Sequence, residues 1–108
     1  MIILVVKYLI PKGYKGITFF PFIILLHKKD KQNEVLVNHE KIHIRQQFEL
    51  LVFPFFVWYF IEFFIRFLKH KNWNTAYRNI SFEREAYSHE KDLNYLKKRS
   101  FWSWVKYF

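Results

Sequence analysis

The feature that most constrains folding is an apolar stretch, residues 50–68, which is the most hydrophobic part of the chain. It is about 19 residues long, just enough to cross a bilayer as one helix. It also carries Glu62 and Arg66, which are four residues apart and can pair on one helix face. Charges within a bilayer are costly unless they are paired or face protein. Basic residues flank both ends and give no preferred orientation: Arg45, Lys69, Lys71 and Arg78. These charges favour a helix that is buried, lies in a membrane interface, or enters and returns.

Composition narrows the remaining classes of fold. The 108 residues suffice for a single domain, residues 1–108. Apolar residues make up 52% and aromatic residues 23%, which excludes an intrinsically disordered chain. With only 2 Gly and 3 Pro, a sandwich or barrel of many short strands is disfavoured. Because Cys is absent, disulfides, thiolate zinc sites and cysteine nucleophiles are excluded.

Charge indicates the kind of partner. The formal net charge is +9, from 18 Lys and Arg against 9 Asp and Glu, which predicts a negatively charged partner. Four Trp residues with Lys nearby suit the headgroup level of a membrane. The basic residues are spread along the chain without a recognised nucleic-acid motif, so a membrane surface is favoured over nucleic acid. Lys7 interrupts the apolar N-terminus and no cleavage site follows, which predicts a cytoplasmic or membrane-associated protein without a signal peptide.

Local patterns predict an α+β fold that is mainly helical. β-Branched residues indicate a strand within residues 1–10, followed by a turn and a second strand at 18–26 that Pro21 bends or confines to an edge. Helices are predicted at 33–51, at 50–68 with a break or kink at Pro54, and at 81–98 with Ser81 or Asn79 as its cap. Residues 101–108 suggest a short amphipathic helix, and 27–33 and 70–74 suggest basic loops. The expected architecture is an N-terminal β-hairpin or strand pair plus three helices.

The chemistry of the chain lies in the first predicted helix, where residues 38–43 read Asn-His-Glu-Lys-Ile-His. On a helix, His39 and His43 project from one face, one turn apart, so both imidazoles can reach a single cation. Glu40 lies about 100° around the helix from His39, too far to be an equal ligand. Its carboxylate can still reach a water molecule at the metal and serve as a general base.

A catalytic zinc site usually has three protein ligands, so one more is expected. Between residues 44 and 73 the only other histidine is His70, and the remaining candidates cluster on the third helix: Glu83, Glu85, His89, Glu90 and Asp92. Glu83 and Glu85 are about 200° apart on a helix, so only one of them can face the metal. Glu90 shares the face of Glu83, and His89 shares the face of Glu85. A site built from Glu85 and His89 is therefore the alternative to one built from Glu83.

These motifs resemble the gluzincin metallopeptidases, in which HExxH is followed by a later helix bearing ExxA. Here the second motif reads Glu83-Arg84-Glu85-Ala86-Tyr87. The closest resemblance is to minimal soluble gluzincins and to the catalytic core shared by CAAX prenyl proteases and antibiotic-sensor receptor peptidases. Residues 38–107 also resemble short bacterial proteins that share the NHEKIH segment.

The resemblance implies a zincin-like domain that binds Zn²⁺ through His39, His43 and Glu83. It implies that Ala86 allows two helices to approach closely. The family usually has Asp at the position of Tyr87, where it orients a zinc-bound His. Tyr87 is therefore expected either to support a ligand as a phenol or to stabilise an oxyanion.

The sequence thus predicts a zinc-dependent metallopeptidase that hydrolyses a peptide or protein substrate, with Glu40 as its base. The strand at 18–26 is expected to bind extended substrate by edge pairing. The alternative is a non-catalytic membrane-associated or metal-binding protein. Because 108 residues offer few walls for a cleft, membrane docking or a homo-oligomer is expected to complete it. Four residues are predicted to be solvated surface groups: His27, His70, Glu85 and Glu90.

Overall fold

A computed structural model describes residues 2–108, with an α+β architecture in which a small sheet lies beside five helices. The predicted fold class is confirmed. The strands are β1 (Ile2–Val5), β2 (Gly16–Phe19) and β3 (Phe22–Leu25), in the order β1-β3-β2. β1 runs parallel to β3, whereas β2 is antiparallel to it. Met1, which belonged to the predicted first strand, lies outside the described residues.

The prediction of one strand over residues 18–26 was wrong. Phe19 pairs with Phe22, so Phe20 and Pro21 form the tight connection of a hairpin. β3 is therefore the central strand of the sheet, and β2 is an edge strand. The turn contains no Gly or Asn and lies between apolar residues, so the usual hairpin signal was missing.

The two long helices are α1 (Glu34–Leu50) and α2 (Val52–His70). The side chain of Asn33 caps α1 by accepting a hydrogen bond from the Leu36 amide at 3.2 Å. The helices meet at Leu51, whose φ is 64°, and their axes differ by 110°. The predicted break at Pro54 is three residues too late. Pro54 lies in the first turn of α2, where a missing N–H costs no intrahelical bond.

Among residues 2–108, no single helix is both long and apolar enough to cross a membrane. Only α1 and α2 taken together meet that criterion, by length and composition, and they are bent sharply at Leu51.

Three short helices follow: α3 (Trp73–Arg78), α4 (Ser81–His89) and α5 (Tyr95–Lys98). The predicted helix over 81–98 is therefore two helices, and the predicted basic loop after α2 already includes the start of α3. The predicted tail helix is a 3₁₀ turn at Ser103–Tyr107. Ile80 is the N-cap residue of α4 and makes no side-chain cap, so neither Ser81 nor Asn79 caps this helix as predicted.

The carboxylate of Glu62, on α2, caps the start of α4. It accepts hydrogen bonds from the amide and the hydroxyl of Ser81, both at 2.6 Å. The predicted pair with Arg66 is present at 3.3 Å. The one acidic residue of the apolar helix therefore fixes the start of α4, the helix that carries the second sequence motif.

Two buried clusters hold the helices together. Phe55 of α2 packs with Ile80, Phe82 and Trp104. Ile42 of α1 packs with Ala86 of α4 in the second cluster, together with Tyr95. Both Ile42 and Ala86 are completely buried, and the small side chain of Ala86 lets α1 approach α4 closely. The predicted site lies at this contact.

Candidate metal centre

Three side chains converge between α1 and α4. The Nε2 atoms of His39 and His43 are 3.2 Å apart. Glu83 Oε1 lies 3.1 Å from His39 Nε2 and 3.0 Å from His43 Nε2. All three residues are at most 5% exposed, and together they form a group that could hold a metal ion. The structure thus brings the three predicted ligands into one place.

Acceptors occupy the outer nitrogens of both histidines. His39 Nδ1 lies 2.8 Å from Glu90 Oε1, and His43 Nδ1 lies 2.8 Å from Gln46 Oε1. An acceptor at Nδ1 favours the tautomer with the proton on Nδ1, which leaves the lone pair of Nε2 facing the centre of the group. This is the arrangement that metal-binding histidines require.

Gln46 is itself held in one orientation. Its Nε2 donates to the Phe82 carbonyl at 3.1 Å and to Glu85 Oε1 at 2.9 Å, so its carbonyl oxygen faces His43. Asn38 likewise ties α1 to the loop after α4 by donating to the carbonyl oxygens of Glu90 and Asp92. The contacts of Gln46 with His43, Phe82 and Glu85 satisfy its polar atoms, which is why Gln46 can be buried completely.

The electrostatics of the group follow from its burial. Burial lowers the pKa of His43, but the charge of Glu83 and its hydrogen bond outweigh this and raise the pKa to about 9. Burial by itself would raise the pKa of Glu83. The two histidines together lower it by a larger amount, so the pKa lies well below the usual range. Tyr59 donates to Glu83 Oε2 at 2.8 Å, which leaves Oε1 for the histidines. Without a metal, a proton on His43 compensates the buried carboxylate.

The two glutamates of α4 have separate environments, as their spacing predicted. Glu85 is completely buried on the far side from the histidines. Its carboxylate accepts from Arg99 Nε at 2.5 Å and from the hydroxyl of Tyr95 at 2.5 Å. His89 stacks on Tyr95 at 3.8 Å between ring centroids. Because Glu85 is paired with Arg99 and His89 is stacked on Tyr95, these two residues do not form the alternative metal site.

The prediction that Glu85 and Glu90 are surface carboxylates was wrong. Glu85 is buried because Arg99 neutralises it, and Arg99 also pairs with Glu49 at 2.5 Å. Glu90 is only partly exposed because it binds His39. The prediction of an exposed His27 is confirmed, whereas His70 is half-buried at the end of α2.

Glu40 lies next to the group, in the wall of the same cavity as His43 and Glu83. The hydroxyl of Thr18, on the edge strand β2, donates to Glu40 Oε2. The other oxygen, Oε1, lies near Gly16, where a Cβ atom would come within 3.6 Å of it. The sheet therefore holds one carboxylate oxygen of Glu40 through Thr18, whereas the other lies beside Gly16, and both Glu40 and Gly16 line the cavity.

The cavity has a volume of about 470 Å³ and lies between β2, α1 and α2. Its walls are mainly aromatic and apolar, and its polar groups include Glu40, His43 and Glu83. The aromatic part of the wall includes Phe55, Phe56, Tyr59, Phe60, Trp73 and Tyr77. Such a cavity suits a bulky apolar group placed next to the three ligands.

Tyr87, which the sequence resemblance placed near a ligand, contacts His39 through its ring at 4.5 Å between centroids. Its hydroxyl donates to the hydroxyl of Tyr77 at 3.4 Å. Burial raises the pKa of both phenols, so both remain protonated donors at neutral pH. Tyr77, rather than Tyr87, lines the cavity, and Glu90, rather than Tyr87, accepts the hydrogen bond from His39 Nδ1.

The outer side of β2 is partly covered. Gln47 donates to the Thr18 carbonyl at 2.9 Å and accepts from the Phe20 amide at 2.6 Å. These bonds anchor the edge strand to α1, directly beside Glu40. The part of the edge available to an extended peptide is thus limited to the start of β2, around Gly16 and Ile17.

Sequence reasoning missed several residues that build this centre: Thr18, Gln46, Gln47, Tyr59, Tyr77 and Arg99. Gln46 and Gln47 could have been noticed, since they lie three and four residues after His43 and therefore on the helix face that carries the HExxH motif. No protein-family model, curated protein or solved structure matches this chain.

Proposed function

We propose that this chain is a zinc-dependent peptidase in which His39, His43 and Glu83 hold the ion and Glu40 is the general base. The observation that carries the proposal is the convergence of two Nε2 atoms and one carboxylate oxygen within 3.2 Å of one another. The acceptors at both Nδ1 atoms support the same assignment.

The spacing of the three atoms suits zinc. Distances of 3.0, 3.1 and 3.2 Å describe a triangle whose corners lie about 1.8 Å from its centre. Zinc–nitrogen and zinc–oxygen bonds are about 2.0–2.2 Å long, so one ion would be within bonding reach of all three atoms. Two nitrogens and one carboxylate oxygen are the donor set of many catalytic zinc sites, which leave a fourth position open.

A zinc ion bound here would supply Lewis acidity and make water a stronger nucleophile at neutral pH. Glu40 would take the proton from the attacking water at Oε1, because Thr18 occupies Oε2. The same carboxyl group would then deliver the proton to the nitrogen of the departing amine. Tyr77 is a protonated phenol in the cavity wall and would donate to the carbonyl oxygen as negative charge develops on it.

The cavity supports a peptide substrate with a large apolar side chain. Its aromatic walls would surround such a side chain while the neighbouring peptide bond lies near Glu40 and His43. The start of β2 offers backbone groups to an extended chain, over the short length that Gln47 leaves uncovered.

The direct test compares zinc-loaded wild-type protein with Glu40→Gln on a broad mixture of peptides, with cleavage detected by mass spectrometry. Wild-type protein should cleave next to bulky apolar residues, and Glu40→Gln should lose at least 100-fold in rate while retaining its zinc. Glu34→Gln is the matched control, since Glu34 lies on the same helix but is exposed, and it should cleave normally.

Two results would contradict the proposal. Cleavage that survives in Glu40→Gln would exclude Glu40 as the base. Stoichiometric zinc in the wild-type protein without any cleavage would favour the alternative, a metal-binding protein without catalysis.

A further inference from the structure

One face of α2 is apolar along its length and has no partner within residues 2–108. Its side chains recur at helical spacing and are between 44% and 78% exposed. They include Phe53, Val57, Phe60, Phe64, Ile65 and Leu68. The opposite face of α2 carries Phe55 and Glu62, which are buried against the rest of the protein. The helix therefore carries apolar residues on both its inner and its outer face.

The outer face is too large to be an ordinary surface feature. It extends about 22 Å from Phe53 to Leu68, at 1.5 Å per residue. From the exposed fractions of its side chains it presents on the order of 700 Å² of apolar surface, more than the largest patch of a typical monomer. Patches of this size mark a surface that binds a partner or a membrane.

The charges around the face are positive. Between residues 50 and 80 the only acidic side chain is Glu62, which is 1% exposed and engaged by Ser81 and Arg66. Lys69, Lys71 and Arg78 are exposed at and beyond the end of α2. Within residues 2–108, Glu34 is the only acidic residue that is exposed rather than buried or half-buried, whereas exposed Lys and Arg occur throughout.

We propose that α2 docks this protein on an anionic lipid bilayer, with the helix lying in the plane of the interface. The apolar face would enter the boundary between headgroups and acyl chains, and the surrounding Lys and Arg would bind anionic headgroups. A second copy of the chain is a poorer occupant, because two molecules with a net charge of +9 repel each other. Trp73, 63% exposed and packed on Phe63, suits the headgroup level.

Docking would also orient the cavity. Phe60 belongs to the exposed face and also lines the cavity beside the candidate metal centre. The cavity would therefore open close to the lipid surface, where apolar peptide segments accumulate. The docking itself does not rest on the proposed peptidase activity, and it holds for a metal-binding protein without catalysis.

The test is co-sedimentation of the full chain with two kinds of vesicle. One consists of phosphatidylcholine alone, and the other contains about 30% phosphatidylglycerol, which supplies the negative surface potential. The wild-type protein should bind the anionic vesicles at least 10-fold more tightly than the vesicles of phosphatidylcholine alone. Raising the NaCl concentration from about 0.1 M to about 0.5 M should weaken that binding, because salt screens the headgroup charge.

A pair of double variants assigns the binding to α2. Phe53→Glu/Phe64→Glu places two carboxylates on the face, at positions that do not line the cavity, and should reduce binding to anionic vesicles at least 10-fold. Tyr8→Glu/Leu93→Glu adds the same charge at exposed apolar residues outside α2 and should change binding less than 3-fold. Circular dichroism and zinc content should be the same in both variants, which excludes misfolding.

Three results would overturn the proposal. The first is wild-type protein that binds neither kind of vesicle. The second is Phe53→Glu/Phe64→Glu binding anionic vesicles as tightly as wild type. The third is a dimer, detected by light scattering, that this variant dissociates while vesicle binding is absent, which would assign the face to a second copy. None of these results would affect the test of Glu40.

Discussion

Glu83 and Glu85 are two residues apart on α4, and both are buried, yet their carboxylates are compensated in different ways. Glu85 faces Arg99, a permanent cation that forms two hydrogen bonds to it at 2.5 and 3.1 Å. Glu83 faces two imidazoles, which are cations only when protonated. A buried carboxylate is costly without a positive partner. The Glu85 cluster is therefore complete within the chain, whereas the Glu83 cluster needs a proton or a metal ion.

The largest effect should come from breaking the complete cluster. Arg99→Met leaves Glu85 and Glu49 buried without their cation, so the free energy of unfolding should fall by about 3–5 kcal/mol. Urea denaturation measures this loss. Lys97→Met, two residues earlier on α5 and exposed, should cost less than about 0.5 kcal/mol. A loss below about 1 kcal/mol for Arg99→Met would show that the ion pair does not hold α5 in place.

The incomplete cluster should respond to zinc instead. At a free zinc concentration about 100 times Kd, the wild-type protein should gain about 2.7 kcal/mol of stability from ligand binding. Glu83→Ala removes the only carboxylate ligand and should gain less than about 1 kcal/mol at the same zinc concentration. Each protein is compared with itself by thermal denaturation in zinc and in chelator, so the folding cost of the variant cancels. An equal gain in both proteins would exclude Glu83 as a ligand.

The Glu83 and Glu85 clusters should also differ in how their contribution to stability depends on pH. The pKa of His43 is about 9 in the folded apoprotein and 6.5 as its ordinary value, so its protonation stabilises the folded state most below pH 6.5. This contribution, about 3 kcal/mol, should be lost progressively as the pH rises from 6.5 through 9. Arg99 stays charged over this range, since its neighbours raise its pKa further.

Chemical denaturation of the metal-free protein between pH 6 and 9.5 measures the loss. His43→Gln is the control, and its stability should be nearly constant over this range. A wild-type apoprotein that is equally stable at both ends would show that no proton compensates Glu83.

The smallest effect should come from the hydrogen bond behind His39. Glu90→Gln keeps an acceptor of the same shape at Nδ1 but removes the charge, so zinc affinity should fall about 10-fold. Titration calorimetry with zinc measures the change. Unchanged affinity would show that the carboxylate of Glu90 does not support the ligand.

The sequence predicted the elements whose cause is local. The run without Gly or Pro predicted the existence of α1, whose start is fixed locally by the capping side chain of Asn33, and helical spacing predicted the pairing of Glu62 with Arg66. Helical spacing also predicted that Glu83 and Glu85 would face opposite sides of α4. These inferences need only the chain within a few residues of the position concerned.

The sequence did not predict features that depend on distant partners. The burial of Glu85 depends on Arg99, which lies 14 residues away and beyond the break between α4 and α5. The end of α1 depends on the positive φ of Leu51, a residue with no intrinsic preference for that conformation. The capping of α4 by Glu62 joins residues 19 positions apart. In each case tertiary contacts, rather than local propensity, decide the outcome.

The most direct measurement of the central claim is the metal content of purified protein, by inductively coupled plasma mass spectrometry, for wild type and Glu83→Ala. Because three ligands converge, we expect about one zinc per chain in the wild type, lost or strongly reduced in Glu83→Ala. Wild-type protein that stays free of metal after zinc is supplied would contradict it, and the histidines and Glu83 would then be a hydrogen-bonded cluster completed by a proton alone.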